Sequence, residues 1–297
     1  MPLLFVAVGQ NGYRIASQDG VDWKNLQIGK EGETYRAVAF GLGRFVAVGS
    51  YGGDNIYAAS SDGVAWETGK KEAKYSKYIR GLGFDGRQFL GVGGDPGSVG
   101  ASGPFVVTSP DGKTWSDYIS VSGKAILRRL AFGKGVVVGV GDRGRRAVSN
   151  DGGTTWIDAP GTKPIDTLAD ITFGAVDSAG NGRFVGVGLH GLRMQSQDGL
   201  TWSAPERGNE GEHLNSVVWT GEKFTAIGAG ATYFSLDGIE WKREPNLNAP
   251  LTACFGGGLF VGTQWKGRLL VSTDALAWKE VHKADEHFEA IAFGSLA

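Results

Sequence analysis

SQDGVDW, residues 17–23, is the stretch that decides the fold, because the chain repeats it. Copies stand at 60–66 (SSDGVAW), 109–115 (SPDGKTW), 149–156 (SNDGGTTW), 196–202 (SQDGLTW), 235–241 (SLDGIEW) and 272–278 (STDALAW). Their tryptophans, Trp23, Trp66, Trp115, Trp156, Trp202, Trp241 and Trp278, lie 37 to 49 residues apart. A period near forty suits a four-stranded propeller blade or a helical pair. The residues between the copies choose the blade. Unit two reads YRAVAFG, RFVAVGS, NIYAASSDG and VAWETG, short runs of Val, Phe, Tyr and Ile bounded by Gly, Asp and Ser. That is strand punctuation, and no stretch sustains a 3.6-residue apolar period, so almost no helix is expected.

Within each copy the aspartate (Asp19, Asp62, Asp111, Asp151, Asp198, Asp237, Asp274) can accept backbone N–H bonds, and the glycine supplies positive φ. The serine adds a local bond. The motif therefore reads as a hairpin between the third and fourth strands of a blade, with the tryptophan packed over the turn.

The chain ends give the closure. FEAIAFGSLA at 288–297 matches a first strand, and FVAVG at 5–9 matches a second strand. The last strand therefore completes the first blade, which leaves few sheet edges unpaired. The expectation is an all-β, single seven-bladed propeller over 1–297. Its blades are 1–28 plus 286–297, 34–68, 75–117, 125–158, 166–204, 213–243 and 250–280.

Fifty glycines are spread at regular spacing over turns, so they do not signal disorder. A net charge of −1 gives no bulk attraction to nucleic acid. The single cysteine, Cys254, aligns with small residues of other inner strands and reads as a core thiol. No apolar run approaches the ~18–20 residues of a membrane span. Strand pairing that starts almost at Met1 leaves no room for a signal peptide.

The motifs resemble the Asp-box of bacterial neuraminidase repeats; 149–156 matches the longer form Ser-x-Asp-x-Gly-x-Thr-Trp, and 275 carries Ala in place of Gly. In that superfamily the Asp-box is a structural turn remote from the active site, so the resemblance implies a fold rather than an activity. The stretches FVAVGQNGYRIASQDGVDW and FVGVGLHGLRMQSQDGLTW look like repeats of phage virion and tail proteins, which implies a non-enzymatic adhesion or decoration module.

Candidate chemistry lies on the face opposite the motifs. Four residues before the terminal aromatic of each inner strand stand Arg36, Arg80, Arg128, Ala169, Asn215, Leu251 and Glu289. Three adjacent blades thus offer arginine, with Arg129 beside the third, as an anion site at the channel mouth or as solvated channel residues paired with Asp170 and Glu289. Two catalytic carboxylates of a glycosidase would need about 5–10 Å separation. Asp170 falls on an inner strand start, whereas Asp54, Asp95 and Asp142 read as turn formers.

Trp265, in the loop TQWKG, is a candidate stacking platform or protein hot spot. Arg143, Arg145, Arg146, Arg193, Lys266 and Arg268 read as exposed loop cations, and the long loop at 93–103 as a lip over the channel. The four histidines show no ligand spacing, so neither a metal nor a cofactor is expected. The leading reading is a non-catalytic binding or structural module, a phage tail, fibre or decoration component whose partners are other proteins of an assembly or surface glycans. The alternatives are a lectin-like carbohydrate-binding propeller and a glycan hydrolase or lyase.

Overall fold

The computed structural model describes residues 3–72, 78–94, 103–123, 125–177, 181–246 and 248–296. Its strands form seven antiparallel sheets, one per repeat. Four-stranded blade two runs Thr34–Gly41, Arg44–Tyr51, Asp54–Ser60 and Glu67–Lys71. Blade five has its inner three strands and only isolated pairings at Glu206 and Trp202 for the fourth. In blade six one run, Phe224–Ser235, serves as second and third strand: its first half pairs with His213–Trp219, its second with Lys242–Asn246. Apart from strands, the described residues hold two single-turn 3-10 segments, Asp142–Gly144 and Pro164–Asp166. The outer strands of blades two, six and seven run to Lys71, Asn246 and Lys283, beyond 68, 243 and 280.

Closure follows the sequence expectation. Phe288–Ser295 pairs with Leu3–Gly9, in the register Phe5 with Phe293 and Ala7 with Ile291. Blade one therefore takes its inner strand from the C-terminal end and its other three from the N-terminal end.

The second strand of each blade is mostly apolar because both of its faces are covered, with Thr225 and Thr263 the buried polar exceptions in blades six and seven. Phe5 and Ala7 pack with Val261 and Leu269 of blade seven, whereas Leu4, Val6 and Val8 pack with Tyr35, Phe45 and Ala47 of blade two. The core is thus seven interblade layers rather than one centre. Glycines let the inner strands interlock. A Cβ on Gly41 would meet the Phe84 ring at 2.3 Å, and one on Gly294 would meet Phe40 at 2.3 Å. Each aromatic that ends an inner strand lies on the preceding blade, and this ring runs through the C-terminal strand by Phe293 over Gly256. Cys254 sits in the blade seven–one layer, where burial pushes its thiol up.

Candidate functional site

The motif turns are internally satisfied. Asp19 Oδ1 accepts the Ser17 hydroxyl at 3.0 Å and the N–H groups of Val21 and Asp22 at 2.9 and 2.8 Å. Asp62, Asp111, Asp198, Asp237 and Asp274 repeat the pattern. With an extra residue in its turn, Asp151 accepts from Thr155 instead, at 2.9 Å from the backbone and 2.6 Å from the hydroxyl. Burial pushes the Asp111 carboxyl up, but the Thr114 and Lys113 N–H donors outweigh it and hold it at about 2. The Thr155 hydroxyl and N–H hold Asp151 at about 2 as well. Trp23 Nε1 donates to the Gly20 carbonyl at 3.0 Å, folding the ring back over the turn; Trp115 is an exception, its indole N–H lacking an acceptor among the described residues.

The tryptophans also reach the preceding blade. Arg14, three residues before the motif serine, lies 5.7 Å from the Trp66 ring, and Arg146 and Arg193 hold the same relation to Trp202 and Trp241 at 5.4 and 5.9 Å. Tyr57 stands in for the cation beside Trp115. This corrects the expectation of exposed loop cations: Arg145, Arg146 and Arg193 are buried. Arg146 and Arg193 fill interblade layers, while Arg145 donates to Asp158 at 2.9 Å and to the Ala125 carbonyl at 2.5 Å. The spacing of arginine three residues before Ser17, Ser149 and Ser196 is the sequence signal for these braces.

At the opposite end of the inner strands a β-bulge recurs. The pairing of blade two jumps between Tyr35 and Ala37, that of blade three between Ile79 and Gly81, and that of blade four between Leu127 and Arg129. The residues left over are Arg36, Arg80 and Arg128. Ala169, Asn215 and Glu289 occupy the same place in blades five, six and one. A bulge unpairs one residue and re-aims its side chain. The glycine ending FVAVG permits it: a Cβ on Gly49 would lie 1.8 Å from the Thr34 carbonyl oxygen, and one on Gly93 1.9 Å from that of Tyr78. Blade seven carries Gln264 and Pro250 at the paired positions, and its ladder begins only at Thr252.

The candidate residues separate into two groups. Arg128 forms a two-pronged ion pair with Asp142, Nη2 lying 2.9 Å from Oδ2. Arg129 donates to the Arg128 carbonyl at 3.2 Å and faces Asp170 at 3.8 Å. Asp170 accepts the Val217 N–H at 2.9 Å and the Ser216 hydroxyl at 3.2 Å, and Ser216 Oγ accepts from Ala253 N at 3.2 Å. Arg129, Asp170 and Ser216 thus form a polar belt across blades four to seven. Burial pushes the Asp170 carboxyl up, against the pull of Arg129 and the N–H donors. Glu289 accepts from Gln10 at 3.0 Å.

Arg36 and Arg80 are different. Both are partly buried, and neither has a hydrogen-bond or ion-pair partner among the described residues. Arg80 lies 5.5 Å from the Tyr78 ring. Burial first, then the charges of Arg36 and Arg128, hold its guanidinium below the ordinary range, and Asp142 partly offsets them.

On the same face Trp265 is 62% exposed and stacks on His287 of blade one, centroids 5.0 Å apart at 18°. Asp95 and most of the 93–103 loop lie outside the described residues. Among the described residues no group of three or more His, Cys, Asp or Glu is placed to hold a metal ion, and no helix is long and apolar enough to cross a membrane.

No family model matches the sequence, and no curated protein matches it. Solved structures do. A structure of YCF48 bound to D1 peptide superposes with a TM-score of 0.63 at 16% identity, covering 91% of this chain and 85% of that one. The WD40 β-propeller domain of Doa1 superposes with a TM-score of 0.64 at 12% identity, covering 96% and 90%. At such identities the likeness is one of fold.

Proposed function

We propose that this chain is a non-catalytic propeller module that binds other proteins of an assembly through the face opposite its motif turns. The observation that carries the reading is the contrast between its two faces. The motif aspartates accept their hydrogen bonds from their own turns. The other face presents Arg36 and Arg80 without hydrogen-bond or ion-pair partners among the described residues, and Trp265 with most of its surface in water. Arginine and tryptophan are the side chains that most often anchor protein interfaces. One of the solved propellers of similar fold was crystallised or imaged as "YCF48 bound to D1 peptide", which fits a peptide or protein partner.

The finer reading is a phage virion component, a tail, fibre or decoration protein. Its support is the repeat style of 5–23 and 184–202. A lectin-like reading rests on Trp265 alone, since an exposed indole is also a sugar-stacking surface. Asp170 gives little support to a glycosidase, because its oxygens are engaged by Val217, Ser216 and Arg129.

The test is sedimentation of particles from producing cells. The wild-type chain is expected to travel with them, and Trp265→Ser combined with Arg36→Gln and Arg80→Gln to stay at the top of the gradient. Equal cosedimentation of the triple variant would refute docking through this face, and absence of the wild-type chain from particles would refute the virion reading.

A further inference from the structure

The channel mouth carries two matched rings of side chains. One is the bulge position. The other is the residue that follows the glycine of the second strand: Gln10, Ser50, Gly94, Asp142, Leu189, Ala229 and, in blade seven, Trp265. In blades one and four the two positions meet: Glu289 with Gln10 at 3.0 Å, and Arg128 with Asp142.

Blades two and three break the match. The residues equivalent to Asp142 are Ser50, which pairs with Thr34, and Gly94, which pairs with Tyr78, and neither carries a carboxylate. The two arginines stand on adjacent inner strands, Thr34–Gly41 and Tyr78–Phe84. Both retain a buried Nε–H without an acceptor among the described residues. Blade four displays the missing element: the same bulge arginine is satisfied by a two-pronged carboxylate. A guanidinium fork matches a carboxylate in that geometry better than any neutral acceptor.

We infer that Arg36 and Arg80 form a binding site for a carboxylate supplied by the ligand, doing for blades two and three what Asp142 does for blade four. The inference rests on the proposal that this face binds, and it names the chemistry bound. The sources are a peptide carboxylate, from a chain end or an acidic side chain, and a carboxylated sugar.

The experiment is an NMR titration of the purified full chain, following arginine Nε–H signals assigned with Arg36→Lys and Arg80→Lys. The probes are acetate, an acetylated tetrapeptide with a free C-terminus, its C-terminal amide, N-acetylneuraminic acid and inorganic phosphate. Each is taken to about 50 mM, well above the millimolar dissociation constant expected of so small a ligand. The Arg36 and Arg80 signals are expected to move with the carboxylates and to ignore the amide, and exposed Arg143 to stay still. Arg36→Gln and Arg80→Gln should each weaken binding at least tenfold while melting normally, since neither side chain holds a described partner. Tighter binding of the peptide acid points to a protein source, and tighter binding of the sugar acid to a glycan.

No carboxylate-dependent movement of either signal overturns the inference, as does phosphate binding more tightly than every carboxylate, or affinity unchanged in both glutamine variants. Because the purified chain is used alone, this result is independent of particle association. A chain that binds carboxylate but leaves particles unbound fails the assembly reading only.

Discussion

Replacing Gly49 with alanine tests how the fold makes its channel mouth. Gly49 lies in the second strand of blade two opposite Tyr35, where the pairing skips Arg36. An added Cβ would sit 1.8 Å from the Thr34 carbonyl oxygen and 2.7 Å from the Tyr35 Cα, both backbone atoms that cannot rotate away. The strands must separate by more than an ångström. Overpacking of this kind costs about 1–3 kcal/mol, and each ladder bond lost adds about 1 kcal/mol, so roughly 3 kcal/mol is expected.

With about 2.1 cal/mol/K of unfolding entropy per residue, a chain of 297 residues loses roughly 5 °C of melting temperature. The control is Gly43→Ala. Gly43 has φ +68° and no atom within 4 Å of an added Cβ, so it carries only the left-handed backbone penalty of about 1 kcal/mol, roughly 1.5 °C. Thermal melts read by tryptophan fluorescence decide between them. A Gly49→Ala protein that melts at or above the Gly43→Ala protein would refute the bulge argument.

The buried Thr225 hydroxyl has no partner among the described residues, and valine stands at its place in blades one, two, four, five and seven (Val6, Val46, Val138, Val185, Val261). Thr225→Val is therefore expected to raise stability by about 1 kcal/mol, read as a higher melting temperature. Ser50→Asp should supply blade two with the carboxylate that Asp142 gives blade four. It is expected to raise stability by up to about 1 kcal/mol, half-exposed pairs being screened, and to weaken carboxylate binding at Arg36 in the NMR titration. The motif carboxylates set an acid limit. Asp111 and Asp151 sit at about 2 when folded, below an unfolded value of about 3.9. Their stabilisation is thus present above pH 4 and lost as pH falls toward 2, and Asp111→Asn with Asp151→Asn should flatten that part of the melting curve.

The blades were legible because the repeat unit carries its own boundaries. The motif turn, the apolar second strand and the FEAIAFG match together specify the closure, and Phe288–Ser295 pairs with Leu3–Gly9 accordingly. Arg36, Arg80 and Arg128 were found by alignment to the terminal aromatic, which works because the bulge falls at a fixed distance from Phe40, Phe84 and Phe132. Their separate fates were not legible. Whether an arginine is neutralised depends on the residue that follows the second-strand glycine, Asp142 or Ser50, and that contact crosses a hairpin. Arg145, Arg146 and Arg193 were misread for a related reason. Between Gly and a motif they look like loop cations, yet their strands face a neighbouring blade, whose rings cover Arg146 and Arg193. Asp170, read as a channel carboxylate, is drawn into a belt by Ser216 and Val217, forty-six and forty-seven residues away.

The central proposal, that the face opposite the motif turns does the binding, is tested most directly by hydrogen exchange on the free chain and on the chain in its native assembly. Peptides containing Arg36, Arg80 and Trp265 are expected to slow markedly in the assembly, while those spanning 17–23, 60–66 and 109–115 exchange alike in both. Protection of the motif turns with the channel mouth unchanged would contradict it.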